Sequence, residues 1–172
     1  MTNPKTITVE RLREVLSYDP ETGNFTYLVG RANVPAGTVT AGYRSGEYLE
    51  LCIDYERIKA HVVAWVIVTG EWPPMIDHED TNKLNNKWEN LRKATKSQNM
   101  MNVGIRSDNK SGARGVSWDS SRKKWTARLR VGKKYLSLGR FENKEDAIEA
   151  YKSAAIKSYG AFARTQDYVH AN

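Results

Sequence analysis

The sequence predicts a mixed α+β protein in two parts, and three observations lead there. Short apolar–polar alternations bounded by Gly, Pro, Asn and Asp recur along the 172 residues, with few helical stretches between them. Charge is uneven: residues 1–105 carry 12 Lys+Arg against 13 Asp+Glu, whereas 106–172 carry 15 against 7. A polar segment at 103–112, VGIRSDNKSG, separates an Asn-rich strand–loop–strand–helix order from an order of three strands and one helix.

Taken in order, Thr8 is placed to cap a helix from Val9 to Leu16, with Leu12, Val15 and Leu16 on one face. Tyr18 to Asn24 is a turn cluster, and Phe25 to Leu28 reads as a strand. Gly30 to Gly46 is rich in small residues with strand-like pieces. Tyr48 to Ile53 is a second strand, and Asp54 to Arg57 turns the chain. Ile58 to Thr69 has helical character and is closed by Gly70 and then Pro73-Pro74. His61 on that helix is read as a packed or surface histidine rather than a ligand. Ile76-Asp77-His78 ends a strand, Glu79 to Glu89 is a polar loop, and Asn90 to Lys93 is a short strand. Thr95 with Gln98 matches a capping box, so a helix starts near Lys96 and carries Asn99.

The stretch from Met75 to Asn102 carries the chemistry. Asp77 and His78 are adjacent; Asn90 follows thirteen residues after Asp77, and Asn99 nine after that. Carboxylate and amide oxygens suit a hard divalent cation, and an imidazole takes a proton from water near neutral pH. The pattern DHxDxNxxNNxxxNLR followed by QNxxN resembles the HNH endonucleases, in particular the phage-borne homing type. That resemblance implies a ββα-metal module with its core at about 58–102. It implies His78 as general base, Asp77 and Asn99 as ligands of one divalent metal, magnesium or manganese, and Asn90 as the residue that pins the loop so that the histidine points correctly. Where many members have a final histidine this chain has Asn99, whose amide oxygen suits magnesium or manganese better than zinc.

After the boundary, Arg114 to Trp118, Lys124 to Val131 and Tyr135 to Phe141 read as strands, the last pair joined by a tight turn at Gly132-Lys133. Asn143, helped by Asp146, caps a helix whose apolar face is Ala147, Ile148, Ala150, Tyr151, Ala154 and Ala155, and Gly160 ends it. Period two sets Trp125, Ala127, Leu129 and Val131 against the helix and Lys124, Thr126, Arg128 and Arg130 on an exposed face. A row of Lys, Thr and Arg on an open face suits phosphates and guanine edges. RGV at 114–116, WTARLR, LGRF at 138–141 and DAIEAY resemble the apetala-type (ethylene-response-factor) DNA-binding domain. The resemblance implies contacts to double-stranded DNA from Arg114, Trp118, Lys124, Arg128, Arg130, Tyr135 and Ser137. Ser137 stands where the plant family has a contacting Trp.

The expected organisation is therefore a nuclease module at 1–104, a linker at 105–112, a DNA-binding domain at 113–164 and a tail at 165–172. A single cysteine, Cys52, read as a buried strand residue, and three histidines exclude an intrachain disulfide and a structural zinc of the usual four-ligand kind. The longest apolar run, Val62 to Val68, is too short to span a bilayer, and the N-terminus has no hydrophobic signal region. The expectation is a metal-dependent endonuclease of duplex DNA acting in the cytoplasm of a phage-infected bacterial cell, with no membrane partner. The rival is a DNA-binding regulator with an inactive nuclease-like module; such decay removes Asp77, His78 or Asn99, and all three stand.

Overall fold

The structure is a computed structural model that describes residues 7–31, 33–102, 104–105 and 108–164. The expected tail at 165–172 and part of the expected linker lie outside the described residues. The protein is mixed α+β, with several small antiparallel sheets and few helices. Chain contacts divide it into two compact units, Met1–Thr95 and Lys96–Asn172.

In the first unit α1 (Val9–Val15) begins where the Thr8 hydroxyl accepts the Arg11 amide hydrogen, 3.1 Å away. It runs directly into β1 (Leu16–Tyr18), which pairs with β2 (Phe25–Tyr27), and β2 pairs with β3 (Val39–Thr40). A second antiparallel sheet holds β4 (Tyr43–Ser45), β5 (Tyr48–Ile53) and β6 (Glu56–Lys59). Residues 56–59 are therefore a strand where the sequence implied a turn and a helix start. The β5–β6 turn is made by Asp54 and Tyr55, both left-handed at φ 46° and 67°. That is a two-residue hairpin turn built without glycine, so its usual signal is missing from the sequence.

Helix α2 (Ala60–Thr69) buries Ala60, Val62, Val63, Ala64 and Val66 against Leu12, Leu16, Phe25, Leu51, Ile53 and Ile58. Gly70, at φ 75°, closes it with its amide on the Val66 carbonyl. Strands β7 (Ile76–His78) and β8 (Leu91–Lys93) pair antiparallel, Asp77 opposite Arg92 and His78 opposite Leu91. Ile76 and Leu91 join the same core as α2. Cys52 is half-buried, not buried, because it points to the opposite side of β5 from Leu51 and Ile53.

The second unit starts with α3 (Lys96–Met101) and continues through β9 (Val116–Asp119), β10 (Lys124–Val131), β11 (Lys134–Phe141) and α4 (Lys144–Tyr159). β10 is central in the three-stranded sheet. Ala147, Tyr151 and Ala155 of α4 bury against Val116, Ala127 and Leu129. Gly115 is forced at φ 68°: a Cβ there would lie 2.2 Å from the Tyr151 ring and 2.5 Å from the Arg128 carbonyl oxygen. Asn143 precedes α4, but its side chain donates to the Asp146 carboxylate at 3.3 Å and accepts no backbone hydrogen.

Two assignments of strand faces change. Thr126, expected on the open face, is buried, its hydroxyl 2.9 Å from that of Ser117 on β9. A side chain on a central strand can reach a neighbour's hydroxyl on either flank, and this one does. Val131, expected against the helix, is exposed at the hairpin end beside Gly132.

Candidate functional site

His78 and Asp77 occupy successive positions on β7, and both are 4% exposed. Successive strand residues point to opposite faces, so they face different surroundings. His78 Nε2 lies 3.1 Å from Asn86 Oδ1. Against that acceptor the Nε2–H tautomer is the one that fits the contact. Burial lowers the pKa of His78, with the Asn86 hydrogen bond opposing that, so its imidazole is held neutral below its ordinary range. A neutral imidazole with a fixed tautomer is the state a general base requires.

The loop that carries Asn86 is fixed from several sides. Asn90 closes it: its backbone oxygen accepts from Glu79 N at 2.9 Å and its Oδ1 from Asp80 N at 2.8 Å. Its Nδ2 donates to the Asn85 carbonyl at 2.8 Å. The Tyr18 hydroxyl donates to the Asn86 carbonyl at 2.6 Å, and Trp88 N to the Pro20 carbonyl at 3.0 Å. Gly23, at φ 76°, lets the β1–β2 turn touch the Asn86 backbone, which a Cβ there would meet at 2.7 Å. The Trp88 ring packs on Trp65 of α2 with centroids 5.0 Å apart.

Asp77 Oδ2 accepts from Arg92 Nε at 3.0 Å and Nη2 at 2.8 Å, across the strand pair. Arg92 Nη1 stands 3.7 Å from Glu79. Sequence reasoning missed both Asn86 and Arg92. Each stands inside the NNxxxNLR pattern, but nothing in spacing alone distinguishes Asn86 from Asn85, or marks Arg92 as the cross-strand partner of Asp77. His61 was expected to be packed or on the surface; it is 1% exposed, its ring 4.9 Å from that of His78 at 79°. Burial, then the neighbouring His78, push its pKa down to about 3. Tyr48 lies 5.3 Å from His61 and 6.2 Å from His78, with Lys59 Nζ 3.8 Å from the Tyr48 ring centroid.

Asn99 lies half-buried on α3 in the second unit. Among the described residues no group of three or more His, Cys, Asp and Glu is gathered as a metal site. The donors in the motif are instead a carboxylate and amide oxygens. That set suits a hard cation that keeps most of its own water, as magnesium does with one or two carboxylates.

In the second unit, Arg128, Arg130, Tyr135 and Ser137 stand exposed, with Arg128 opposite Ser137 and Arg130 opposite Tyr135. The Arg130 guanidinium is 5.9 Å from the Tyr135 ring centroid. The ladder skips one residue of β11 between Ala127 and Arg128, leaving Leu138 as the extra one. The skip brings Arg140 opposite Thr126, so Arg140 joins the face of Arg128 and Arg130 although strict alternation puts it elsewhere. Lys124 pairs with Glu142 at 3.0 Å. Two expected contact residues lie off this face. Trp118 is opposite Trp125, on the other side of the sheet, the rings 5.2 Å apart. Arg114 donates to the carbonyls of Met101 at 2.6 Å and Met100 at 2.9 Å, at the end of α3.

Residues 59–101 match the family model described as HNH endonuclease. The chain is 36% identical over 73 residues to "Protein 3.8" of Escherichia phage T7, an alignment covering 41% of this chain and 60% of that protein. The chain thus spans less than two thirds of that relative's length. No helix among the described residues is long and apolar enough to cross a membrane.

Arg92→Ala leaves a buried carboxylate without its cation and is expected to cost about 3 kcal/mol of unfolding free energy. Asp77→Asn in the same chain restores at least half of that; urea denaturation of the single and double variants measures both. The His61 pKa sets a second expectation. It lies near 6.5 in the unfolded chain and near 3 in the folded one, so below pH 6.5 the unfolded state binds more protons. Stability from this group is present above 6.5 and is lost as pH falls towards 3, by up to about 1.4 kcal/mol per pH unit. Replacing His61 by Phe should make the fall in melting temperature between pH 6.5 and 5 shallower than in the wild type.

Proposed function

We propose that the protein is a metal-dependent DNA endonuclease of the homing type, in which a ββα-metal module cuts duplex DNA and an apetala-type domain binds it. The observation that carries this reading is the neutral, buried His78, held by Asn86 and beside Asp77, inside the segment that matches the HNH endonuclease family. In this reading His78 Nδ1 takes the proton as a water oxygen attacks phosphorus and the 3′ oxygen leaves. Asn86 keeps the second ring nitrogen protonated, so the proton has one place to go. Asn90 holds the loop against β8, which keeps both residues in place through the step. Asp77 and Asn99 would hold one magnesium or manganese ion, which supplies charge neutralisation at the phosphate and the leaving oxygen. Arg92 shares the Asp77 carboxylate and limits its net charge.

The second unit would supply affinity through Arg128, Arg130 and Arg140 on phosphates, with Tyr135, Ser137 and Lys124 along the same sheet. Among the described residues Arg128 has no side-chain partner, so its whole donor set is available to a base edge or a phosphate. The unequal charge of the two halves fits this division of labour. The phage relative fits a protein that acts in an infected bacterial cell.

His78→Ala is expected to reduce nicking of supercoiled plasmid by about 10²–10⁴-fold. DNA affinity in a gel shift should stay within a factor of about two, since the general-base role acts on the chemical step. Residual nicking above a tenth of wild type would remove His78 from the chemistry. A wild-type protein that binds duplex DNA and never nicks it with magnesium or manganese would favour the regulator reading. Arg128→Ala or Arg130→Ala should lower the log–log salt slope of binding by about one, and cost about 1–3 kcal/mol where the side chain reads a guanine. Binding selections at two salt concentrations separate the two contributions.

A further inference from the structure

The β4–β5–β6 sheet buries one face and leaves the other open. Leu51 and Ile53 of β5 and Ile58 of β6 belong to the core of the first unit. Alternation puts Tyr48, Glu50 and Cys52 of β5 on the opposite face. The register adds Tyr43 of β4, opposite Glu50, and Arg57 and Lys59 of β6, opposite Cys52 and Glu50. Both cations lie on tyrosine rings. The Arg57 guanidinium is 5.8 Å from the Tyr43 centroid, and Lys59 Nζ is 3.8 Å from that of Tyr48. Among the described residues neither is in an ion pair. Glu50, directly across the ladder from Lys59, accepts instead from the Tyr43 hydroxyl at 3.3 Å.

Lys83, from the 79–89 loop, brings a third cation to the same place. Its Nζ is 5.2 Å from the Tyr48 centroid and is paired with Glu47. Two ammonium groups on one ring repel, and Glu47 offsets one of them. Residues 1–105 carry 12 Lys+Arg against 13 Asp+Glu, so this local excess runs against the charge of its own half. A cation resting on a tyrosine has its stem and direction fixed while its N–H groups stay open to another acceptor. That is the arrangement a contact to a phosphate backbone uses. The Tyr48 ring is also 6.2 Å from that of His78, so the open face ends at the candidate base.

We propose that Arg57 and Lys59, with Lys83 beside them, form a phosphate-binding track that holds the backbone of a DNA strand on the open face of the β4–β5–β6 sheet, at whose end His78 lies. DNA binding is then not confined to the second unit. Phosphate contacts position a strand without reading its sequence, so the track supplies register and affinity. What the strand undergoes at His78 rests on the nuclease reading above; the binding on this face does not.

The test uses the full chain and a short mixed-sequence DNA duplex, with affinity read by fluorescence anisotropy at about 50 and 200 mM salt. Arg57→Met and Lys59→Met keep an apolar stem on the tyrosine and remove the charge. Arg44→Met is the control: Arg44 is exposed on β4 of the same sheet but, opposite Leu49, on its other face. Each track variant should lower the log–log salt slope by about 0.9, and the two together by about twice that, with affinity at the lower salt down about tenfold per residue. Arg44→Met should keep the wild-type slope, and all variants the wild-type melting temperature. In magnesium-dependent nicking, KM for DNA should rise by a similar factor with kcat within about threefold, as for binding shared by ground and transition states. The proposal is overturned if the wild type binds no duplex, if either track variant keeps the wild-type slope, if Arg44→Met lowers the slope as much, or if affinity falls only in step with melting temperature. Should Lys59→Met not fold, Arg57→Met alone decides, and an unchanged slope there overturns the proposal. A wild type that binds the duplex yet nicks none with any divalent metal sinks the nuclease reading, and the salt slopes still decide the track.

Discussion

The clasp that Asn90 makes on the 79–89 loop is the constraint on which the candidate site depends. A two-stranded ladder of three residues each is marginal by itself in water. Here β7 and β8 are held together because Asn90 accepts from the amides of Glu79 and Asp80 and donates to the carbonyl of Asn85. Those bonds set the loop length that returns Asn86 to His78. The packing of Ile76 and Leu91 into the α2 core, and of Trp88 on Trp65, anchors the hairpin to the body of the first unit. The polar clasp shapes the hairpin, and the apolar anchors fix where it sits.

The cost of such a site is visible in where polar groups are left without partners. Asp77 is buried and balanced by Arg92, an arrangement in which removing one partner is expensive and keeping both yields little net stability. His61 and Asn86 add donors and acceptors that nothing satisfies. The second unit has its own apolar cluster of Ala113, Val116, Ala127, Leu129, Ala147, Tyr151 and Ala155, beside which the buried Thr126 hydroxyl is matched by Ser117. Each unit has a core of its own. In the first, polar groups that a stability-optimised core would exclude are packed around one imidazole.

Much of this was legible in the sequence where local chemistry decides the outcome. β5 and β10 coincide with their predicted spans, because alternation over six to eight residues is a strong signal. The caps at Thr8 and Gly70 lie where they were expected. A turn after Ile53 was legible, but not that it spans only Asp54 and Tyr55, which adopt left-handed backbone without glycine, and β6 was absorbed into the turn and helix predictions as a result. The partners of His78 and Asp77 were not legible either. Asn86 and His61 reach His78 from different elements, and only the folded chain shows which of several asparagines faces the ring. On β11 a single extra residue reversed the alternation and moved Arg140 to the open face. Period-two reasoning holds only as far as the next bulge.

Arg114 shows how a basic residue can be correctly counted and differently used. It stands in the RGV motif, and its charge belongs to the basic excess of the second half. Yet its guanidinium donates to the carbonyls of Met100 and Met101, which close α3. A cation at the C-terminal carbonyls of a helix is favourable both by hydrogen bonding and by the helix dipole. α3 is six residues long and buries none of them, so it has little packing of its own to hold it. Arg114 therefore steadies the helix that carries Asn99. A basic motif in the second half thus supports the segment that bears a proposed metal ligand. The boundary that charge marks in the sequence, near residue 105, need not coincide with the boundary between the compact units, at Thr95 and Lys96.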